Sequence, residues 1–255
     1  MKKQIPNIFT LFNLFFGCLA IVVILQNGFI VTENAEGIQL LDIPEKIWMA
    51  SLFIGLAAVV DFLDGFVARL FKAVSPMGKE LDSLADVVSF GVAPSLIVYQ
   101  FLRLSYAQEN TALDQSELWL WPAFILAMAA AWRLARFNIT DTGSSVFSGM
   151  PVPAVGIFMA SIPLVYWHVN QPILISLLLN KWVWYFIILL FSFLMVSSIP
   201  LLSMKFKNLK WADNKPRFIL FAIAILSVLL LQWLGIPITI LAYVLVSLLF
   251  KNQLS

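Results

Sequence analysis

Apolar residues run along this chain in stretches long enough to cross a bilayer, near 7–27, 47–72, 82–103, 118–137, 151–168, 182–202, 217–233 and 236–250. A hydrocarbon core about 30 Å thick takes about 20 residues of helix to span, so the pattern predicts eight transmembrane helices. The last two are short and are joined by Gly235-Ile236-Pro237, which predicts a tight helical hairpin over about 217–250. No internal repeat, low-complexity tract or soluble segment breaks the series. The expectation is therefore a single transmembrane domain over 1–255, all-α and polytopic. The opening run "IPNIFTLFNLFFGCLAIVVIL" (Ile5–Leu25) is too long for a signal-peptide core and lacks an Ala-x-Ala cleavage site, so it predicts a retained first helix.

Composition supports the same class: 61% hydrophobic residues, only 12% charged and a mean hydropathy of +0.92, beyond what a soluble domain of 255 residues carries. The single Cys18 excludes a disulfide framework and a thiolate cluster, and the single His168 excludes a histidine-based metal site. The net charge of +2 matters less than its distribution. With the N-terminus inside, the inner segments hold Lys2, Lys3, Arg69, Lys72, Lys79, Arg133, Arg136, Lys205, Lys207, Lys210, Lys215, Arg217 and Lys251. The outer ones hold only Lys46, Arg103 and Lys181. That bias places both termini in the cytoplasm of a cell or inner membrane. The outer loops 28–46 and 104–117 read as plain solvated connections, and Trp119, Trp121, Trp182 and Trp184 as interfacial or lipid-facing aromatics.

Charge then appears where hydrophobicity predicts none. In "DFLDGFVARLFKAVSPMGKELDSLADVVSFG" (Asp61–Gly91), Asp61 and Asp64 are three residues apart and Asp82 and Asp86 four, so each pair shares a helix face. Asp64 lies eight residues before Lys72, roughly 12 Å along a helix, and Asp82 three residues after Lys79. Both pairs thus fall at one depth, near the cytoplasmic interface. Four carboxylates converging in a low dielectric require compensating cations, and the all-oxygen donor set favours Mg²⁺ or Mn²⁺ over zinc. Gly65, Ala68 and Gly78 leave room for a bulky ligand, and Arg69 offers a guanidinium suited to a phosphate. Two other readings exist: ion pairs with Arg69, Lys72 and Lys79 that only fix helix packing, or the coupling-ion site of a cation-driven transporter. The interfacial depth and the lack of inverted repeats count against the transporter.

The spacing Asp61-x₂-Asp64-Gly65-x₂-Ala68-Arg69-x₈-Gly78-x₃-Asp82-x₃-Asp86 resembles the signature of the CDP-alcohol phosphatidyltransferases. "GKELDSLADVVSFGVAPS" (Gly78–Ser95), "RLARFN" (Arg133–Asn138), "FSGMPVPA" (Phe147–Ala154) and "LMVSSIP" (Leu194–Pro200) are similar to the serine-using branch of that family. Met150 departs from it, standing where Leu is expected. The resemblance implies a helical bundle in which serine's hydroxyl attacks CDP-diacylglycerol, giving phosphatidylserine and CMP. It implies two divalent cations on Asp61, Asp64, Asp82 and Asp86, with Asp86 also accepting the proton. It assigns Gly65, Arg69, Ser75 and Gly78 to CDP-diacylglycerol, with Ala68 beside the cytidine. It further assigns Asn7 and Thr10 to the nucleotide phosphates, with a helix-start cap as their alternative. A homodimer among membrane lipids is implied, and no nucleic acid partner. Sister enzymes use glycerol 3-phosphate or inositol acceptors. A serine carboxylate needs a cation, and Arg133 and Arg136 are candidates at the inner end of the fourth helix. There, "AMAAAW" (Ala127–Trp132) predicts close packing.

Overall fold

A computed structural model describes residues 5–33, 39–71, 75–109, 116–140, 147–169, 171–202 and 211–250. The first helix, α1 (Ile5–Gln26), leads through a short antiparallel ribbon of β1 (Ile30–Glu33) and β2 (Gln39–Asp42) to α2 (Trp48–Leu70). Next comes α3 (Pro76–Asp86), which starts where Pro76 fills the first helical position and the Ser75 hydroxyl accepts the Gly78 N–H at 3.0 Å. A π-helical turn (Val87–Val92) joins α3 to α4 (Ala93–Ala107) without a break. Pro94 has no N–H to give the preceding turn and its ring crowds a carbonyl one turn back. The widened turn just before it accommodates both, and Ser95 Oγ donates to Gly91 O at 2.8 Å.

A 3₁₀ segment (Glu117–Phe124) opens α5 (Ile125–Thr140). The expected close packing of α5 is present: a Cβ built on Gly91 would lie 3.2 Å from Ala130 Cβ. After α5 come β3 (Phe147–Ser148), α6 (Val152–His168), α7 (Pro172–Leu178), α8 (Lys181–Val196) and β4 (Pro200–Leu201). The chain ends with α9 (Trp211–Leu231) and α10 (Gly235–Leu249). In one straight helix residues 227 and 239 would stand about 18 Å apart, yet Ser227 Oγ and Thr239 Oγ1 are 3.0 Å apart. The chain therefore doubles back at Gln232, whose φ is 50°. Among the described residues, five helical stretches are long and apolar enough to cross a membrane, six when α7 and α8, bent by 70°, count as one. Against the eight expected, the difference lies in α6, only 17 residues, and in 214–249, a single apolar stretch folded on itself. The protein is a multi-pass membrane protein. Many large apolar side chains face outward, Phe62, Leu189 and Leu229 among them, while Thr10, Asn13, Asp64, Asp86 and Arg133 are buried.

The sequence expectations need two corrections. The described parts of the outer connections are tied to the helices rather than plainly solvated. Asp42 accepts from Tyr166 Oη at 2.7 Å, Gln108 donates to Leu41 O at 2.8 Å, and Lys181 pairs with Glu109 at 2.6 Å. Trp184 is not a belt residue but fully buried against Phe101. The bend between α7 and α8 turns it inward, where its indole N–H satisfies Leu178 O at 2.7 Å.

Candidate functional site

The C-terminal half of α2 and the middle of α3 bring three carboxylates together. One oxygen each from Asp61, Asp64 and Asp82 lies within 4.8 Å of the others. Three carboxyls this close stay ionised together only around a shared proton or cation. Asp82 Oδ1 is buried without a hydrogen-bond partner. A buried orphan oxygen in an all-oxygen cluster is what a hard divalent cation fits, so the cluster could hold a metal ion. Asp86, one turn further along α3, stands outside this trio and is more deeply buried.

The ion-pair reading finds no support at Arg69. Arg69 is exposed, with no ion pair among the described residues. Lys79 turns to Asn138 O at 3.3 Å and lies over the Phe137 ring, and Lys72 is outside the described residues.

What holds the carboxylates comes from α1. Asn7, Thr10 and Asn13 recur at helical spacing and form a polar stripe on an otherwise apolar helix. The Thr10 hydroxyl donates to Asp64 Oδ2 at 2.8 Å, and Asn13 Nδ2 donates to Asp86 Oδ1 at 3.1 Å. Ser89, in the π turn, donates to Asn13 O at 3.0 Å and fixes the helix pair. Asn7 packs on the α3 start, since a Cβ on Gly78 would lie 3.0 Å from Asn7 Oδ1 and 3.1 Å from Ser75 Oγ. Asn7, Ser75 and Gly78 are thus brought together. Nothing lies within 4 Å of a Cβ built on Gly65. Ala68 is half-buried, and Arg69, one turn after Gly65, is exposed. This end of α2 has an open face.

The two arginines of α5 part company. Arg133 is buried, 8% exposed, within electrostatic range of Asp86 and Tyr243, and its Nε has no hydrogen-bond partner. Arg136 donates to Val196 O at 2.9 Å and Ser198 Oγ at 3.0 Å. It braces the turn in which β3 pairs with β4 and the Gly149 and Met150 N–H groups bond Ile199 O and Leu194 O. Asn138 ties α5 to α3 through Glu80 Oε2 at 3.2 Å and Ser83 Oγ at 3.0 Å. Asn13, Ser89 and Asn138 were missed from sequence. The polar stripe on α1 was the available signal for Asn13; the other two pairings join residues far apart in the chain.

The sequence profile of the CDP-alcohol phosphatidyltransferase family matches residues 3–183. The CDP-diacylglycerol–serine O-phosphatidyltransferase of Helicobacter pylori (strain ATCC 700392 / 26695) is 33% identical over 222 residues, 86% of this chain and 78% of that protein. The Bacillus subtilis (strain 168) protein of that name is 37% identical over 134 residues, 52% of this chain and 67% of its own length. An archaetidylserine synthase from Methanothermobacter thermautotrophicus is 32% identical over 124 residues, 48% of this chain and 49% of that protein.

Proposed function

We propose the reaction from the family: this chain belongs to the CDP-alcohol phosphatidyltransferases, and it transfers the phosphatidyl group of CDP-diacylglycerol to the hydroxyl of L-serine. Phosphatidylserine and CMP are the products. The observation that carries the reading is the meeting of Asp61, Asp64 and Asp82, with an orphan oxygen on Asp82 and Asp86 one turn away. The names of the relatives share a seryl product while differing in the lipid, which favours serine over the glycerol 3-phosphate or inositol acceptors of sister enzymes.

Asp61, Asp64 and Asp82, joined by Asp86, hold the cations, two ions of Mg²⁺ or Mn²⁺. Bound there, such ions supply neutralisation of phosphate charge and acidify a nearby hydroxyl. Asp86 accepts the proton of the serine hydroxyl. The serine oxygen forms its bond to the lipid-bearing phosphorus as the bond to the CMP oxygen breaks, and CMP leaves with that electron pair. Thr10 and Asn13 keep Asp64 and Asp86 in place. The open face beside Gly65 admits the nucleotide, with Ala68 near the cytidine, and Arg69 meets its phosphates together with Asn7, Ser75 and Gly78. Thr10 can meet them too, through its lone pairs. Arg133, buried by Asp86, takes the serine carboxylate; Arg136, engaged with Val196 and Ser198, is the weaker candidate. The active site faces the cytoplasm of a cell or inner membrane, both termini lie on that side, and the enzyme is a homodimer.

The test is CMP release from CDP-diacylglycerol by the purified protein with Mn²⁺ or Mg²⁺. Release on adding serine, and not glycerol 3-phosphate or inositol, is expected. Release with another acceptor alone would replace serine. No release with any acceptor, alongside cation-driven transport in proteoliposomes, would replace the enzyme by a transporter.

A further inference from the structure

We propose that Asn13 binds the ammonium group of the acceptor and so makes the site select an amino acid over a plain hydroxy acid; this rests on serine being the acceptor. Asn13 has no exposed surface, and its side chain donates to Asp86 Oδ1 at 3.1 Å. A carboxylate oxygen accepts, so the NH₂ half of the amide faces Asp86 and the carbonyl half is the free end. That carbonyl oxygen, Oδ1, is buried without a hydrogen-bond partner. It shares a carbon with Nδ2, so the two are less than about 2.6 Å apart. The orphan acceptor therefore sits beside the carboxylate that receives the hydroxyl proton. Arg133 also lies within electrostatic range of Asp86, and there Nε is a buried donor without a partner.

One unpaired acceptor and one unpaired donor thus accompany Asp86, and burial without partners is costly for both. Serine carries the complementary set. Its ammonium donates to Asn13, its carboxylate accepts from Arg133, and its hydroxyl, on the carbon next to the one bearing the ammonium, reaches Asp86. Glycerol 3-phosphate and inositol have no ammonium and offer Asn13 only a neutral hydroxyl, a weaker donor; 3-hydroxypropanoate offers it no donor at that carbon. A site built around a polar group rejects an analogue lacking the matching group, because its own atom is left unpaired.

The experiment compares serine with 3-hydroxypropanoate, which is serine without its amine, on the full chain with CDP-diacylglycerol and Mn²⁺. Wild type is expected to favour serine by at least tenfold in kcat/KM. Asn13→Leu removes the acceptor, and its kcat/KM for serine should fall about ten- to a hundredfold further than for 3-hydroxypropanoate. Asn13→Asp keeps an oxygen in place while losing the donor to Asp86, so turnover slows with both acceptors but the preference for serine survives. Calorimetric titration of serine in the presence of CMP, where no transfer can occur, should show the same weakening in Asn13→Leu. Equal losses for the two acceptors in Asn13→Leu, or loss of preference in Asn13→Asp, would overturn the assignment and leave Asn13 as a support for Asp86. Should Asn13→Leu fail to fold, equal wild-type affinity for serine and 3-hydroxypropanoate would overturn it as well. Absence of any serine-dependent CMP release in wild type would instead sink the reaction on which it rests.

Discussion

Thr10→Val deletes one hydroxyl and keeps the branched outline of the side chain. The deleted group donates to Asp64 Oδ2 at 2.8 Å, between residues that are 3% and 7% exposed. Water does not readily replace a donor at that depth, so Asp64 loses the interaction outright. A hydrogen bond to a charged group contributes about 1.5–3 kcal/mol, or about ten- to a hundredfold in an equilibrium constant. Removing the partner that orients a metal-ligating group costs a similar factor in metal affinity. The midpoint for activation by Mn²⁺ or Mg²⁺ should therefore rise by one to two decades, and turnover should largely return at saturating metal. The assay is CMP release against divalent-ion concentration at saturating serine and CDP-diacylglycerol. An unchanged midpoint together with a raised KM for CDP-diacylglycerol would put the hydroxyl on the nucleotide and refute its role as a support for Asp64. An unchanged midpoint with all constants intact would mean that the bond contributes nothing to catalysis.

Asp61→Asn, Asp64→Asn and Asp82→Asn should each lower CMP release by orders of magnitude while the protein still inserts; Asp86→Asn should lose kcat far more than CDP-diacylglycerol affinity, measured by turnover and by equilibrium binding. Arg133→Ala should raise the serine KM about ten- to a hundredfold, whereas Arg136→Ala should lower thermal stability through the lost bonds to Val196 and Ser198; serine saturation curves and melting of the detergent-solubilised protein separate the two. Gly149→Ala forces a left-handed φ of 78° on an alanine and puts its Cβ at 2.6 Å from Met195 O and 2.8 Å from Ser197 O, so Tm should fall by the equivalent of about 1–3 kcal/mol or more. A reporter fused after Lys79 should read cytoplasmic and one inserted at position 110 external; an external signal at Lys79 would separate the acidic cluster from cytosolic serine.

The acidic cluster was legible because charge in an apolar helix is costly enough to stand out, and periods of three and four fix which carboxylates share a face. Hydropathy likewise located the long helices to within a few residues at many of their ends. It could not show the π turn at Val87–Val92, because a widened turn leaves the apolar pattern intact; Pro94 beside Gly91 was the only local sign. Nor could it show the 70° bend before Lys181 that buries Trp184, since Trp suits a membrane interface and a core equally well. The pairing of Phe147-Ser148 with Pro200-Leu201 joins segments about fifty residues apart through backbone groups, which leave no trace in side-chain chemistry.

The distribution of polar groups between helices follows from the medium. Carboxylates on α2 and α3 that face one another repel, and hydrocarbon offers them no donors. The donors must come from a third helix packed against both, and α1 supplies them with Thr10 to Asp64 and Asn13 to Asp86. Such a helix has to be apolar on its lipid side, as Ile8, Phe12 and Phe15 are, and polar on one narrow stripe. Each donor then settles one carboxylate, but an asparagine brings an acceptor along with its donor. Thr10 spends its single hydroxyl hydrogen on Asp64, whereas Asn13 gives its N–H to Asp86 and retains a carbonyl oxygen that no residue of the described chain meets. Asparagine at this position is therefore better explained by a ligand that donates to it than by the needs of Asp86 alone.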